Sequence, residues 1–196
     1  MSQYLYLIRH GMALHNELYE TMGVHAFRVP EVIDSPLTSE GHLQARSLAQ
    51  SQTIHEKQIE VVLVSPLMRA LQTAHGIFKD TDIPIRCFEW LREFPIGQDT
   101  CNQRSDISEL KIRFPTIDFS EIDEDRDVLW TETRETRASL QRRVDDAKRY
   151  IKTLPETKIA IVSHNGFIGQ FKDNHISYME NGEQDLKHCE PYEYRL

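Results

Sequence analysis

Apolar positions along the chain fall into two arrangements. Four short runs are apolar almost throughout: Tyr4–Ile8, Val61–Val64, Ile83–Phe88 and Ile159–Val162. Uniform hydrophobicity, as opposed to alternation, suits strands covered on both faces, as in a parallel sheet. Pro84 in the third run cannot donate to a ladder, which predicts a place near a sheet edge. Between these runs the apolar residues recur at helical spacing. Thr38-Ser39-Glu40-Gly41 leads into a helix expected over 42–52, with Leu43, Ala45 and Leu48 on one side. Leu67, Ala70, Leu71, Ala74 and Phe78 predict a helix over 67–78, with Ser65 as N-cap and Pro66 at its first position. A third helix is expected over 133–154. Leu140, Val144, Ala147 and Ile151 form its buried stripe, and Arg137, Arg142, Arg143, Lys148 and Arg149 its solvated face. Residues 184–196 alternate enough for an edge strand. This order predicts an α/β three-layer sandwich, a mostly parallel central sheet flanked by helices, as one domain over 1–196.

Two segments break the rhythm, Glu17–Asp34 and Glu93–Trp130. Both read as loops, and connections of this length within one domain usually serve as lids or binding loops. They are expected as insertions, about 17–34 and 94–130, forming a cap over the C-terminal ends of the strands. The acidic stretch 121–125 inside the second reads as a solvated face.

Composition narrows the partners. The 196 residues are 39% hydrophobic and 28% charged, as in a globular protein. Twenty-three Lys and Arg against thirty-one Asp and Glu give a net charge of −8, which disfavours nucleic acid and anionic membrane surfaces. Cys87, Cys101 and Cys189 are scattered, with no CxxC pair, which argues for a reducing compartment and against a zinc knuckle. Apolar stretches of four or five residues cannot span a bilayer, and Met1–Ile8 is too short and uncharged for a signal peptide. A soluble, cytoplasmic protein is expected.

The chemistry concentrates at strand ends. Two strands run directly into histidine, at Arg9-His10-Gly11 and at Ser163-His164-Asn165-Gly166, and a third leads through Ser65-Pro66-Leu67-Met68 to Arg69. In open α/β sheets ligands sit at the carboxyl ends of the strands. If these strands are parallel neighbours, His10, His164, Arg9 and Arg69 meet in one cationic pocket, suited to a dianionic phosphate. A lone histidine after a strand is more often structural; two, each followed within two residues by glycine, are a stronger sign. Gly11 and Gly166 would permit unusual backbone angles and close ligand approach. The nine histidines show no HExxH or HxH spacing, so no metal site is expected. His15, His25, His42, His55, His75, His175 and His188 read mostly as surface residues. There is neither a GxSxG nucleophile elbow nor a GxxxxGK[ST] phosphate loop.

Five blocks, in order from residue 5 to about 170, carry a family likeness. They are Leu7-Ile8-Arg9-His10-Gly11 with Asn16; Asp34-Ser35-Pro36-Leu37-Thr38 with Gly41, Gln44 and Ala45; Ser65-Pro66-Leu67 with Arg69–Ala74; Leu91-Arg92-Glu93; and Val162-Ser163-His164 with Gly166. The set resembles the histidine phosphatase superfamily, the phosphoglycerate-mutase-like group. Met12 and Asn165 depart from its usual residues, and 94–102 lacks the glycine-tryptophan-glutamate stretch of glycolytic mutases, which speaks against mutase activity.

The resemblance implies a metal-independent phosphatase that hydrolyses phosphomonoesters through a phosphohistidine on His10. Arg9, Arg69 and His164 would hold the non-bridging oxygens, Asn16 a phosphate oxygen or the leaving group, and Asn165 would join the phosphate contacts. Glu93 would act as general acid and then base, with Glu89 its nearby competitor. His10 must keep one nitrogen unprotonated, so its other nitrogen is expected to donate to a carbonyl of the Gly11 turn, while the flanking arginines lower its pKa. No cofactor is implied, and the partner is a small phosphorylated substrate. Phe27, Arg28, Phe94, Cys101, Asn102, Arg104 and Trp130 are candidates to line the mouth. Two other readings stand beside this one: mutase-type phosphoryl transfer, and a non-catalytic phospho-ligand module, against which intact His10 and Glu93 speak. No motif specifies the substrate's alcohol or the oligomeric state.

Overall fold

Alternate residues of the first strand go to opposite cores. The strand β1 (Tyr4–Arg9) sends Tyr6 and Ile8 into one cluster and Leu5 and Leu7 into the other, all of them buried. That is why the run is apolar on both faces. A computed structural model describes residues 2–176 and 185–196. Five further strands complete one sheet: β2 (Val61–Val64), β3 (Ile85–Cys87), β4 (Ile117–Asp118), β5 (Lys158–Ser163) and β6 (Pro191–Arg195), in the order β4-β3-β2-β5-β1-β6. The pairs from β4 to β1 are parallel, and β6 runs antiparallel to β1 with Leu5 opposite Tyr194. Registers such as Leu7–Ile161 and Val62–Ala160 bring the ends of β1, β5 and β2 side by side.

Seven α-helices lie among the described residues: α1 (Leu14–Met22), α2 (Ser39–Gln50), α3 (Gln52–His55), α4 (Met68–Phe78), α5 (Ile107–Arg113), α6 (Arg137–Ile151) and α7 (Asn165–Asp173). The apolar stripes of α2, α4 and α5 cover one sheet face, and those of α6 and α7 the other. None is long and apolar enough to cross a membrane.

Several expectations shift. The third strand shrinks to Ile85–Cys87, because Pro84 lies outside it and its carbonyl accepts from Val62 N–H at 2.9 Å. Segment 17–34 is largely helical, comprising most of α1 and 3₁₀ turns at Gly23–Phe27 and Pro30–Val32. Segment 93–130 supplies α5 and the edge strand β4, whose two residues are too few to show a period. The third helix starts at Arg137, capped by Thr136, whose hydroxyl accepts from Ser139 N–H. Helix α4 begins at Met68 and not at Pro66, and Ser65 does not cap it. The cap comes from across the fold, where Asp34 Oδ1 accepts from Met68 N–H at 2.7 Å. The terminal strand is Pro191–Arg195; Gln184, where alternation begins, lies outside the described residues.

The turn after β1 packs on α2 through two glycines. A Cβ on Gly11 would lie 2.6 Å from the Gly41 carbonyl oxygen, and one on Gly41 only 2.1 Å from that of Met12. Gly11 thus serves close backbone approach rather than an unusual angle, and neither it nor Gly166 has positive φ. Gly41 lies within a helix, where alanine would ordinarily gain about 1 kcal/mol. Backbone overlap outweighs that gain, so Gly41→Ala is expected to lose about 1–3 kcal/mol net. Urea unfolding of the two proteins measures it; equal midpoints would contradict the close packing.

Candidate active site

Three adjacent strand ends deliver the predicted cluster. Ladder bonds continue past them, from His10 N–H to the Ser163 carbonyl at 3.0 Å and from Ser65 N–H to that of Val162 at 3.1 Å. The rings of His10 and His164 stand 5.1 Å apart. Both side chains are buried, as are Arg9 and Arg69.

His10 is held in one tautomer. Its Nδ1 lies 2.7 Å from the Gly11 carbonyl oxygen, and Arg69 Nε donates to its Nε2 at 3.2 Å. A guanidinium only donates, so Nε2 carries the lone pair and Nδ1 the proton. Burial, then the charge of Arg69, then His164 and Arg9, push the ring's pKa well below 6.5.

Arg69 is fully buried and oriented on three sides. Besides His10, it donates from Nη1 to the Cys101 carbonyl at 2.7 Å and from Nη2 to Asn102 Oδ1 at 2.8 Å. Asn102 is in turn fixed, its Nδ2 donating to the Pro95 carbonyl at 2.9 Å and its own carbonyl accepting from Arg92 at 2.6 Å. Arg92 sits on Asp127 at 2.7 Å and on Glu89 at 3.3 Å. Arg104 pairs with Glu89 at 2.6 Å and donates to the carbonyls of Glu124, Asp125 and Arg126. Arg104 therefore clasps the insertion from within and does not line a mouth, and Glu89 belongs to that clasp. Burial pushes the Cys101 thiol up to about 12, which leaves it unreactive.

His164 Nε2 lies 2.7 Å from Ser65 Oγ, while its buried Nδ1 has no hydrogen-bond partner. Arg9 donates from Nη1 to the Leu186 carbonyl at 2.6 Å and sits 3.6 Å from Asp185, and its buried Nε has no partner. Asn16 and Asn165, both expected on the phosphate, are bonded to the protein itself. Asn16 Oδ1 accepts from Ala13 N–H at 3.2 Å, capping α1. Asn165 donates to Asp185 at 2.8 Å and accepts from Leu186 N–H at 3.0 Å, tying down the segment after 184.

Glu93 joins the site at the helix that follows β5, close enough to Arg69 and Arg9 to feel both charges. Its carboxylate lies at the start of α7, accepting from Phe94 N–H at 2.7 Å, Gly166 N–H at 3.0 Å and Phe167 N–H at 3.2 Å. Burial raises its pKa, opposed by the amides and by Arg69 and Arg9. Arg143, expected on a solvated face, instead donates to the carbonyls of Trp90 at 3.0 Å and Arg92 at 2.9 Å and pairs with Glu135 at 2.7 Å. It holds the backbone that carries Glu93.

Two histidines join the site against expectation. His15 is buried with its ring 6.0 Å from His10, and His188 lies 5.7 Å from it, its Nδ1 2.6 Å from the His10 carbonyl oxygen. Burial, reinforced by Arg9, pulls the pKa of His188 down to about 4. His188 is 178 residues from His10, and a polar sequence context gave no sign of either. The other motif positions hold the turn: Thr73 Oγ1 accepts from Gly11 N–H at 3.0 Å and Gln44 Oε1 from Met12 N–H at 2.8 Å. Among the described residues no group of three or more His, Cys, Asp or Glu is placed to hold a metal ion.

Comparison with known proteins places this arrangement. The sequence profile of the histidine phosphatase superfamily, branch 1, matches residues 5–185. A phosphoglycerate mutase-like protein of Arabidopsis thaliana is 34% identical over 84% of this chain and 68% of its own. A probable phosphatase of Schizosaccharomyces pombe is 30% identical over 98% of this chain and 89% of its own. Among solved structures, a phosphoserine phosphatase of Entamoeba histolytica, in complex with 3-phosphoglyceric acid, superposes with a TM-score of 0.59 at 23% identity, covering 97% and 94% of the two chains. That last likeness shows a shared fold.

The grip of Asn102 on Arg69 has a measurable consequence. In Asn102→Asp a carboxylate on the guanidinium offsets part of its charge at His10, so the imidazole pKa rises. The acid limb of kcat/KM for an aryl phosphate is expected to move up by about half to one pH unit. An unshifted limb would show that Arg69 does not set the protonation of His10.

Proposed function

The chain belongs to the histidine phosphatase superfamily, and within it we propose a metal-independent phosphatase that hydrolyses phosphomonoesters through a phosphohistidine on His10. The observation that carries this reading is the neutral His10 ring, with Nδ1 tied to the Gly11 carbonyl at 2.7 Å and Nε2 turned to Arg69 at 3.2 Å. The substrate phosphate displaces the Arg69 contact and takes its charge. Nε2 attacks phosphorus in line with the ester oxygen, the P–N bond forms as the P–O bond breaks, and Glu93 gives its proton to the departing alkoxide. Water then attacks the same phosphorus, Glu93 takes back a proton, and the P–N bond breaks to release phosphate and restore the lone pair.

The remaining groups stabilise charge. The Ser65 hydroxyl, which already accepts from Leu67 N–H at 3.4 Å, donates to His164 Nε2, leaving Nδ1–H for a phosphate oxygen. Arg9 offers its unpartnered Nε, and Arg69 the Nε–H that the phosphate takes from His10. Asn16 keeps Oδ1 on its cap and turns Nδ2 to a phosphate oxygen or the leaving group. Asn165 serves by anchoring the segment that carries Asp185 and His188. Transition states of phosphoryl transfer need mainly such positioning and electrostatics, so loss of one contact costs on the order of 10²–10³ in rate. The insertions around 17–34 and 94–130 cap the site and choose the alcohol. Three buried free cysteines accord with a reducing compartment such as the cytoplasm.

Phosphoryl transfer between positions of one molecule is the second reading, favoured by the mutase-like relative. It requires stimulation by a bisphosphorylated primer and slow loss to water. Rapid-quench trapping of labelled phosphohistidine during aryl phosphate hydrolysis, in chelator and without primer, tests the leading one. The native protein is expected to give acid-labile label and rapid turnover, and His10→Ala neither. Equal turnover in the two proteins would remove His10 as the nucleophile.

The pH profile follows from the same groups. His10 works unprotonated, and its lowered pKa preserves that form to well below pH 6.5. Glu93 works protonated first, and its raised pKa extends that form upward from its ordinary 4.5. Together they predict a bell with its maximum in the acidic range. Glu93→Gln is expected to lower kcat by about 10²–10⁴ and to remove the alkaline limb; a limb that persists would assign it to another group.

A further inference from the structure

Beyond the nucleophile a file of rings leads out of the molecule. His15 adjoins His10 with centroids 6.0 Å apart, Phe27 meets His15 edge-on at 5.9 Å and 66°, and Tyr19 stacks on Phe27 at 5.3 Å and 7°. Burial falls along the file: His15 is 6% exposed, Phe27 half-buried and Tyr19 48% exposed. The file therefore begins at the reacting centre and ends in solvent, as a substrate path must.

Two observations point to a ligand here. First, His15 is more than nine-tenths buried, yet its Nδ1 has no hydrogen-bond partner. A buried polar atom left unmet costs free energy unless something meets it in the working state. Second, Phe27 is held in place by its backbone. Thr100 donates its hydroxyl to the carbonyls of Phe27 at 3.2 Å and Val29 at 3.3 Å, and Arg28 bonds Asp99 at 3.0 Å. These bonds stitch the first insertion to the second beside the ring. A ring fixed in this way presents a surface organised before binding, which lowers the cost of ordering a ligand on it.

We propose that this file is the leaving-group wall, so that the substrate is a phosphomonoester whose alcohol side carries a planar ring. The phosphate lies on His10, Arg9 and Arg69, and the ring lies against His15 and Phe27, its π face meeting the otherwise unpartnered His15 Nδ1–H. The inference rests on the phosphatase reading and adds the substrate class to it. Aromatic rings prefer offset or edge-to-face partners at the spacings that this file shows. The alternative is that Tyr19 and Phe27 only pack α1 on the turn that follows.

The ratio of kcat/KM for 2-naphthyl phosphate to that for phenyl phosphate separates the two. The leaving phenols are of similar acidity, so the ratio reports contact with the second ring and not ease of departure. The native protein is expected to favour the naphthyl ester by about fivefold to tenfold. Phe27→Leu is expected to bring the ratio towards one. Tyr19→Ala, at the exposed end of the file, is expected to lower it part of the way. A ratio near one in the native protein, or one unchanged in both variants, would overturn the wall. Hydrolysis of neither ester would instead overturn the phosphatase reading beneath it.

Discussion

A buried guanidinium bonded to a neutral imidazole, with a second buried guanidinium close enough to act on the same ring, is the interaction on which the rest of this structure depends. A buried cation without compensation costs several kcal/mol, and two side by side repel each other as well. The fold meets that cost with oxygen acceptors. Arg69 has the carbonyl of Cys101 and the amide of Asn102, and Arg9 has the carbonyl of Leu186 and the carboxylate of Asp185. The histidines around them stay uncharged, because burial and the arginines both act against protonation. The result is a pocket with positive charge to offer and an unprotonated nitrogen at its centre, in a chain of net charge −8.

Much of the remaining architecture holds those groups still. Asn102 orients Arg69 and is itself set by Arg92, whose charge rests on Asp127 and Glu89. Arg143 performs the corresponding service for the backbone of Glu93. Asp34 caps α4 one residue before Arg69 and also accepts from Ser105 N–H at 2.8 Å, joining the two insertions at the base of the site. The long segment after β3 is thus structural: its buried ion pairs set the geometry of a guanidinium that strand ends alone would leave loose.

How much of this was legible depended on sequence distance. Strand-end motifs are local, so His10, His164 and Arg69 could be grouped once parallel neighbours were assumed, and the buried runs justified that assumption. Resemblance added Glu93, whose adjacent residues carry no chemical signature. Long-range contacts were hidden. Ser65 has the chemistry of an N-cap, but its hydroxyl sits on His164 while Asp34, thirty-four residues before Met68, caps the helix. Arg143 shares a solvated pattern with its neighbours and is distinguished only by the carbonyls above it. His15 and His188 occupy polar stretches, and only the closing of the segment after 184 over β1 places the second of them at the nucleophile.

The protonation state of the His10 ring is read directly by nitrogen-15 NMR of labelled histidine. Followed from pH 8 down to the unfolding limit, His10 is expected to show one protonated and one bare ring nitrogen, the proton on Nδ1, and to remain neutral well below pH 6.5. A ring that titrates near its ordinary value, or that carries its proton on Nε2, would rule out His10 as a nucleophile kept neutral by Arg69.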